Sequence, residues 1–516
     1  MPTLTPLDYG IIVFYVLIVV ALCIRVTQRS PSSDDLFLAG RALGPGVIGF
    51  SLFASNISST TLIGLPGAAW EHGISVANYE WMAALVLLFT AAFVAPIFIG
   101  QKITTIPEIL ERRFDARIRK YLSAVSLFLS IVLDTAGSLY AGALVLMLFF
   151  PDLSLWPTCA AMAIFAGIYT AAGGLKAVAY TDVLQAIVLL IGSTILSILV
   201  FQEFNFSWSQ VKAAVGEEHL SLIRPMDDPA LPWLGTLIGL PVLGFYYWTM
   251  NQYVAQRLLG ARSSNAAAKG AMIAACLKIL PLFIMVIPGA MAAALFTDIE
   301  RADTIFPRLI TEFAPAGLAG LMLAALMAAI MSSVDSTLNS ASTLVIVDFV
   351  KPKRPGLTSQ QIAVLGRKCT MVLMLVAAIW APMIDNFPGL FAYLQQTFAY
   401  VTPPLVAVFA VGFISRTVTA QAAWIGLIAG HSISAMVFIA AQLEWHSVHF
   451  TIVAGLLFII TVGLIYSAQW LSPDSQQNNQ QWLAWMDYKK EPHSNGVKWG
   501  LLICALATCV TVILFW

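Results

Sequence analysis

The sequence predicts an all-α polytopic membrane protein with about 14 transmembrane helices. Two features of the composition predict this fold class: 59% of the 516 residues are hydrophobic and 10% are charged, whereas a soluble chain carries roughly 25% charged residues. A third feature is the order of the apolar residues, which form successive runs of about 20, the length of helix that crosses a bilayer. The formal net charge is zero, so the composition does not indicate a nucleic-acid partner.

The apolar runs are separated by polar connections that are too short to form a soluble domain. The first run contains Asp8 at its start and is followed by Arg25 and Arg29, which is the reverse of a secretory signal, so we interpret it as a spanning helix. The predicted spans are 7–25, 45–71, 77–100, 122–149, 155–172, 181–202, 231–256, 270–296, 316–349, 369–387, 398–415, 419–441, 447–469 and 498–515.

The basic residues predict the orientation of these spans. An even number of spans places both termini on one side of the membrane, and Lys and Arg favour cytoplasmic loops. With both termini outside the cytoplasm, 22 of the 27 basic residues fall in inner loops, 4 fall in outer loops, and Lys278 lies inside a span. The short loops and the lack of a targeting signal favour a bacterial inner membrane.

Motifs for ATP hydrolysis and for metal-dependent catalysis are missing from the sequence. It has no G-x-x-x-x-G-K-[ST] segment, and neither its six cysteines nor its six histidines have metal-ligand spacing. We therefore predict a protein that is not an enzyme and that moves a solute with an ion gradient. A transporter-like sensor, which would keep the same binding residues, and a channel-like leak are the alternatives.

Five ionisable residues lie inside the predicted spans, where a charge costs roughly 2.5 to 3.5 kcal/mol on insertion scales. A structural ion pair, or a position near the membrane interface, also explains each of them taken alone. Acids and a lysine on separate helices instead favour one shared polar cavity. The five are Glu80, Asp134, Asp182, Lys278 and Asp335.

Hydroxyl and Gly/Pro clusters interrupt two of the spans. The second span contains FASNISSTT followed by Gly64, Pro66 and Gly67, and the seventh contains LIGLPVLGFYYWTMNQY. Small residues and hydroxyls also allow close helix packing, but an unwound helix provides free carbonyl groups for a small cation. Interrupted helices at matching places in two halves predict an inverted-repeat transporter, with the first break around Gly64 to Gly67.

Seven longer segments share the pattern of a known transporter family. They are FASNISSTTLIGLPGAAWEHGISVANYEWMAA, IPEILERRFDARIRKYLSAVSLF, YTAAGGLKAVAYTDVLQ, YYWTMNQYVAQRLLGA, CLKILPLFIMVIPG, AAIMSSVDSTLNSAST and YLQQTFAYVTPPLVAVF. In this order, over about residues 7–470, they resemble the sodium/solute symporter family and within it the sodium-glucose cotransporter branch. The resemblance implies a LeuT-like core of two five-helix inverted repeats, 45–202 and 231–415, in one transporter domain of residues 1–516. The helix at 7–25 and the helices of 419–516 would lie outside this core.

The resemblance implies a sodium site between the second and ninth spans. Its five oxygens would be the carbonyls of Ala54, Ile57 and Ala329 and the hydroxyls of Ser332 and Ser333. Asp182 matches an acidic residue near the family's sodium path. Three hypotheses for Asp335 stay open: it forms a second sodium site with Ser336 and Asp182, it carries a proton, or it is a helix-packing acid.

The resemblance also implies a sugar site lined by polar and aromatic side chains. The matching residues are Asn56, Glu80, Trp248, Lys278 and Gln395, with Tyr247 as an aromatic inner gate. Carboxylate and amide oxygens accept hydrogen bonds from sugar hydroxyls, lysine donates to them, and an aromatic face covers C–H groups. Thr61 and Gly244 replace longer polar residues of related sugar carriers, which predicts a larger pocket with fewer hydrogen bonds.

Together these features predict a secondary active symporter that couples inward sodium flow to the uptake of a monosaccharide by alternating access. The expected solute is a hexose such as glucose or galactose. Uptake of an inositol, an amino sugar or a sugar acid is the alternative, and Lys278 near Thr61 favours a carboxylate. The predicted partners are the sodium ion, a small solute and the lipid bilayer, with no nucleic acid and with a monomer sufficient for transport.

Overall fold

A computed structural model describes residues 4–26, 32–386, 390–471 and 494–515. Within these ranges the chain is all-α, with two isolated β-bridges and no strand. The main helices of its first half are α1 (Pro6–Val26), α2 (Ser33–Leu38), α3 (Pro45–Asn56), α4 (Ser59–His72), α5 (Ile74–Gly100), α6 (Ile106–Arg113), α7 (Ala116–Met147), α8 (Leu155–Gln202) and α9 (Trp208–Val215).

The second half continues as a bundle of helices joined by short turns. They are α10 (Trp233–Ile238), α11 (Leu240–Phe245), α12 (Gln252–Leu259), α13 (Ser264–Leu295), α14 (Ile305–Phe313), α15 (Leu318–Lys353), α16 (Ser359–Asn386), α17 (Leu390–Val401), α18 (Pro403–Ile414), α19 (Ala420–Gln442), α20 (Phe450–Leu471) and α21 (Asn495–Leu514). The predicted C-terminal helices of 419–516 correspond to α19, α20 and α21, while residues 472–493 lie outside the described ranges.

The predicted number of 14 spans is not confirmed. The described residues contain 10 helices long and apolar enough to cross a membrane, or 12 when the bent pairs α3–α4 and α17–α18 each count as one span. The predicted spans 155–172 and 181–202 both lie in α8, which consists of two helical segments that meet in a kink at Gly174, where φ is +63°, a value that glycine adopts without strain. The predicted span 231–256 is divided among α10, α11 and α12.

The first interrupted span breaks at Ile57 and Ser58, where α3 and α4 are bent by 56°. Ser58 has an extended backbone, and its Oγ accepts a hydrogen bond from the Thr61 N–H over 3.4 Å, as N-cap residues do. Thr61 Oγ1 donates to the Asn56 carbonyl oxygen over 2.7 Å. The helix is interrupted here because the Ser58 and Thr61 hydroxyls form hydrogen bonds with backbone groups in place of helical hydrogen bonds.

This position corrects the prediction of a break around Gly64, Pro66 and Gly67, because all three residues lie inside α4. The glycine serves close packing instead: a Cβ on Gly67 would lie 2.4 Å from the Ala302 carbonyl oxygen. A Cβ on Gly289 would likewise lie 2.4 Å from the Pro66 carbonyl oxygen. Small residues therefore bring α4 against its neighbours, as they do in other membrane helix contacts.

The second interrupted span breaks at Asn251. A π-helical turn, Tyr246–Met250, follows α11, and Asn251 then has φ of −64° and ψ of 124°. Its side-chain oxygen accepts from the Tyr253 N–H over 3.3 Å and caps α12. The two breaks thus lie in the first helices of the two predicted repeats.

Helix α15 lies at the centre of the bundle, and α1 and α21 lie at its edge. In the most apolar stretch of α15, 83% of the residues are buried, against 18% for α1 and 11% for α21. Asp8 of α1 accepts hydrogen bonds at the start of α15 from the N–H groups of Gly317 and Gly320, over 2.8 and 2.7 Å. The central position places the hydroxyl-rich part of α15 against α3, α7 and α8.

Candidate functional site

A cavity with a volume of about 120 Å³ lies beside the two helix breaks. One water needs roughly 10 to 15 Å³ of such volume, so the cavity has room for a small solute. Thr61 and Gly244, which depart from the family pattern, both line it. Seven of the predicted site residues line the cavity: Asn56, Thr61, Glu80, Tyr247, Trp248, Ser333 and Gln395.

Lys278, which was predicted at the sugar site, is not among the lining residues. Its ammonium group forms an ion pair with Glu80 Oε2 and lies 5.0 Å from the centre of the Trp248 ring. Lys278 is fully buried, whereas Glu80 and Trp248 line the cavity. Lys278 therefore neutralises and orients Glu80 from behind the cavity wall.

Asp182 is the centre of a buried hydrogen-bond network. Its Oδ2 accepts from Ser51 Oγ over 2.5 Å and from Ser55 Oγ over 3.3 Å. Its Oδ1 accepts from Ser332 Oγ. Because the serines belong to α3 and α15, one carboxylate of α8 joins the two helices that carry the predicted sodium ligands.

Arg257 neutralises this carboxylate. Its Nη2 lies 2.9 Å from Asp182 Oδ2, and both side chains are fully buried. Nη2 also donates to Ser336 Oγ over 2.5 Å, and Nε donates to Ser51 Oγ over 2.7 Å. The sequence placed Arg257 in an inner loop because the predicted span ended at 256, but α12 continues to Leu259. A buried acid such as Asp182 requires a nearby opposite charge. This requirement is the signal in the sequence that could have indicated a basic partner such as Arg257.

Two residues of the hypothetical second sodium site, Asp182 and Ser336, contact this guanidinium. Asp335 is 1% exposed and lies three residues after Ser332 in α15. Arg257 contacts both Asp182 and Ser336. A positive charge is thus already present between two of the three side chains, so a second sodium ion there requires Arg257 to move. The role of Asp335 stays a hypothesis.

The carbonyl groups predicted to bind sodium lie at the end of α3. The helix ends at Asn56. Its last hydrogen bond runs from the Ile57 N–H to the Phe53 carbonyl. The Ala54 carbonyl belongs to the final turn, whose carbonyls lack the next helical amide, and Ile57 lies in the break itself. Exposed carbonyls at an unwound helix are the ligands that bind sodium in transporters with interrupted helices.

The remaining predicted sodium ligands lie one helical turn apart on α15. Ser333 Oγ donates to the Ala329 carbonyl over 2.8 Å, so these two oxygens are neighbours. Ser332 Oγ instead donates to Asp182. The donor set therefore combines neutral oxygens with one hydroxyl bound to a carboxylate, which suits a monovalent hard cation.

Tyr247 lines the cavity and contacts α12, which leads to a predicted cytoplasmic loop. Its hydroxyl is hydrogen-bonded to the hydroxyl of Tyr253. Its ring packs against Trp248 and Phe398, with centroid distances of 5.2 and 6.2 Å. That this aromatic layer acts as an inner gate stays a prediction.

Asp134 is one of the five ionisable residues for which the sequence favoured a shared polar cavity, but it was assigned no role at the predicted sodium or sugar site. It lines the cavity together with Ser138, one turn further along α7. Asn251 Nδ2 donates to Asp134 Oδ2 over 3.4 Å. Two polar residues four apart in an apolar span share one helix face, and this spacing is the sequence signal for the additional site residue.

A comparison with known families identifies the family of the chain that forms this cavity. The model of the sodium:solute symporter family matches residues 36–430. The chain belongs to this family. The symporter is 34% identical to a sodium/mannose cotransporter of Bos taurus, over 93% of this chain and 89% of the relative. It is 34% identical to the sodium/myo-inositol cotransporter 2 of Homo sapiens, over 83% and 69%, and 33% identical to a sodium/glucose cotransporter of Vibrio parahaemolyticus, over 82% and 83%.

Solved structures of transporters share the fold of this symporter. A Na⁺-coupled sialic acid symporter in a substrate-bound outward-open state has a TM-score of 0.79 at 22% identity, over 91% of this chain and 99% of that chain. MHP1, a transporter of the nucleobase-cation-symport-1 family, has a TM-score of 0.56 at 15% identity, over 90% and 100%. These likenesses confirm the predicted LeuT-like fold class. Family membership confirms the predictions of an integral membrane protein and of a transporter, not an enzyme.

Proposed function

We propose that this symporter couples inward sodium movement to the uptake of a monosaccharide or a related polyol such as an inositol. The observation that carries the proposal is that one cavity is lined both by Ser333, a predicted sodium ligand, and by Glu80 and Gln395, predicted sugar ligands. The substrate class is supported by the relatives, which are described as cotransporters of mannose, myo-inositol and glucose.

Sodium binding would act on the cavity through the first helix break. A sodium ion held by Ala54 and Ile57 on one side and by Ala329 and Ser333 on the other fixes α3 relative to α15. Asn56, between the two carbonyl ligands in sequence, lines the cavity. An ion that fixes the break therefore also fixes a solute ligand, and this differential binding is what a coupled transporter requires.

The polar side chains of the cavity suit a ring that carries several hydroxyl groups. Glu80 provides acceptor oxygens, and the amides of Asn56 and Gln395 provide both donors and acceptors. Trp248 and Tyr247 provide aromatic faces for the C–H groups of the ring. A sugar acid is the weaker candidate, because Lys278 is paired with Glu80 behind the cavity wall.

Alternating access requires the predicted inner side to open and close. Beyond the Tyr247–Tyr253 pair, a second polar cluster lies there. Asp348 Oδ1 is 2.6 Å from Arg119 Nη2 and accepts from Thr105 Oγ1 over 2.8 Å, while Oδ2 accepts from Ser123 Oγ over 2.5 Å. This cluster joins the end of α15 to α7 and to the turn before α6, so its opening belongs to the inward-facing state.

A single chain carries the whole predicted set of sodium and solute ligands, and a monomer is the proposed transporting unit. The excess of Lys and Arg in alternate loops supports an orientation with both termini outside the cytoplasm. A bacterial inner membrane is the proposed location.

Uptake of radiolabelled glucose, galactose and myo-inositol into proteoliposomes tests this function. We expect accumulation under an inward sodium gradient and none under a matched potassium gradient. Gln395→Ala, in the cavity wall, should reduce accumulation, whereas Gln442→Ala, at the exposed end of α19, should behave like the wild type. Equal uptake in sodium and potassium, or no uptake of any of the three solutes, would refute the proposal.

A further inference from the structure

The cavity contains one acid that is not paired with a basic residue in the part of the chain that the structure describes. Glu80 is paired with Lys278, and Asp182 is paired with Arg257. The contact of Asp134 is with the uncharged amide of Asn251, over 3.4 Å. Among the described residues, Asp134 is therefore the cavity acid that has no basic partner.

The lining of the cavity is acidic overall. It contains two carboxylates, Glu80 and Asp134, and no Lys, Arg or His among the described residues. Lys278 compensates Glu80 from behind the wall. A solute in the cavity thus meets hydrogen-bond acceptors, among them one carboxyl group that has no basic partner among the described residues.

Asp134 lies in the π-helical turn Ser130–Thr135 of α7, a local geometry that is frequent at functional sites. Tyr247 and Tyr253, whose hydroxyls are bonded to each other, line the same cavity. The partner amide belongs to Asn251 at the second helix break. The acid is thus held beside the inner gate, at the opposite break from the predicted sodium carbonyls of Ala54 and Ile57.

We propose that Asp134 selects solutes that carry a protonated amine, so that the preferred substrate is an amino sugar or an aminocyclitol. This inference rests on the proposed function of the symporter. An ammonium group donates charge-assisted hydrogen bonds to the carboxylate, and these are stronger than the bonds of a neutral hydroxyl. The face of Tyr247 adds a favourable environment for a cation, whereas Trp248 already contacts the Lys278 ammonium group. A carboxylate on the solute would be repelled.

Binding to the wild-type protein at saturating sodium tests the charge preference directly. The ligands are D-glucose, its 2-amino, 3-amino and 6-amino deoxy derivatives, and D-glucuronate, measured by isothermal titration calorimetry. We expect at least one amino sugar to bind about tenfold more tightly than glucose, with glucuronate the weakest ligand. Glucose that binds as tightly as every amino sugar, or glucuronate that binds more tightly than glucose, would overturn the inference.

Variants assign the preference to Asp134. In Asp134→Asn the ratio of amino-sugar to glucose affinity should fall to about 1, whereas Asp134→Glu, which keeps the charge, should retain a preference. Asp152→Asn removes an exposed acid in the turn after α7 and should retain the wild-type ratio. If Asp134→Asn does not fold, the wild-type series together with Asp134→Glu still decides.

The same experiment shows whether Asp134 binds the amine of the solute, a sodium ion or a proton. If Asp134→Asn raises the sodium concentration needed for binding and leaves the affinity ratio unchanged, Asp134 serves the ion and the inference is wrong. If the ratio is unchanged and only the pH dependence of binding is lost, Asp134 carries a proton and the inference is also wrong. Sodium-dependent glucose binding without an amine preference refutes this inference alone, whereas no sodium-dependent binding of any sugar refutes the proposed function as well.

Discussion

Arg257 and Asp182 form an ion pair that the protein encloses completely. Nη2 and Oδ2 are 2.9 Å apart, and neither side chain is exposed. Ser51 and Ser332 donate to the same carboxylate, so the pair connects α12, after the second helix break, with the helices on both sides of the predicted sodium site. The positive charge of Arg257 offsets the burial of the Asp182 carboxylate beside the predicted sodium site.

Breaking this pair should destabilise the protein, because it leaves a buried charge without a partner, at a cost of about 3 to 5 kcal/mol. We expect Arg257→Gln to lower the apparent melting temperature in detergent. The double variant Arg257→Gln, Asp182→Asn should recover part of the loss. Arg25→Gln, at the exposed end of α1, is the control. Equal melting temperatures for Arg257→Gln and Arg25→Gln would contradict the predicted role of the pair.

Ser333→Ala should weaken sodium binding selectively. The variant removes one hydroxyl of the proposed sodium site, beside the Ala329 carbonyl. We expect the sodium concentration for half-maximal uptake to rise about tenfold, since a bond to a charged group contributes roughly 1.5 to 3 kcal/mol. Ser342→Ala, which removes a hydroxyl of the same helix that donates to the Gly366 carbonyl, should keep the wild-type requirement. An unchanged requirement in Ser333→Ala would remove Ser333 from the site.

The Glu80–Lys278 pair should act as one unit. Lys278→Met leaves Glu80 unpaired, and Glu80→Gln leaves Lys278 unpaired, so each single variant should lose stability. The loss in free energy of unfolding of the double variant should be smaller than the two single losses added together, by about 0.5 to 3 kcal/mol. It should still bind sugar poorly, because the cavity has lost the Glu80 carboxylate. Strict additivity in thermal unfolding would show that the two side chains do not interact.

The packing of α21 can be tested with its own cysteine. Cys504 Sγ lies 3.2 Å from Cys276 Sγ of α13, two residues before Lys278. We expect copper phenanthroline and oxygen to join these thiols in a disulfide, detected by mass spectrometry of the peptides. Cys504→Ser should abolish the cross-link, and Cys509→Ser should retain it. A wild-type protein that forms no Cys276–Cys504 link would contradict the position of α21.

The sequence predicted the elements of the fold more reliably than the contacts between them. The interruption near FASNISSTT exists because Ser58 caps α4, and hydroxyl-rich segments indicate such breaks. Its position was predicted too far along the chain, since Gly67 could be assigned either to a break or to close packing. Only the distance to the Ala302 carbonyl distinguishes the two.

Contacts across the bundle account for the other differences. The contacts of Lys278, which stays a predicted solute ligand, could not be predicted: its pairing with Glu80 and its position over Trp248 depend on three helices meeting in space. Arg257 was assigned to a loop because its place at the end of an apolar run resembles a membrane boundary. Its burial depends on Asp182, 75 residues earlier, which no local pattern reveals.

Equilibrium binding to the purified protein tests sodium coupling most directly. Sugar affinity is measured with and without saturating sodium, and sodium affinity is measured with and without saturating sugar. We expect sodium to tighten sugar binding by at least about fivefold, and sugar to tighten sodium binding by the same factor, because the coupling between two sites is reciprocal. Sugar affinity that is the same in sodium and in potassium would contradict the proposal that this symporter is driven by sodium.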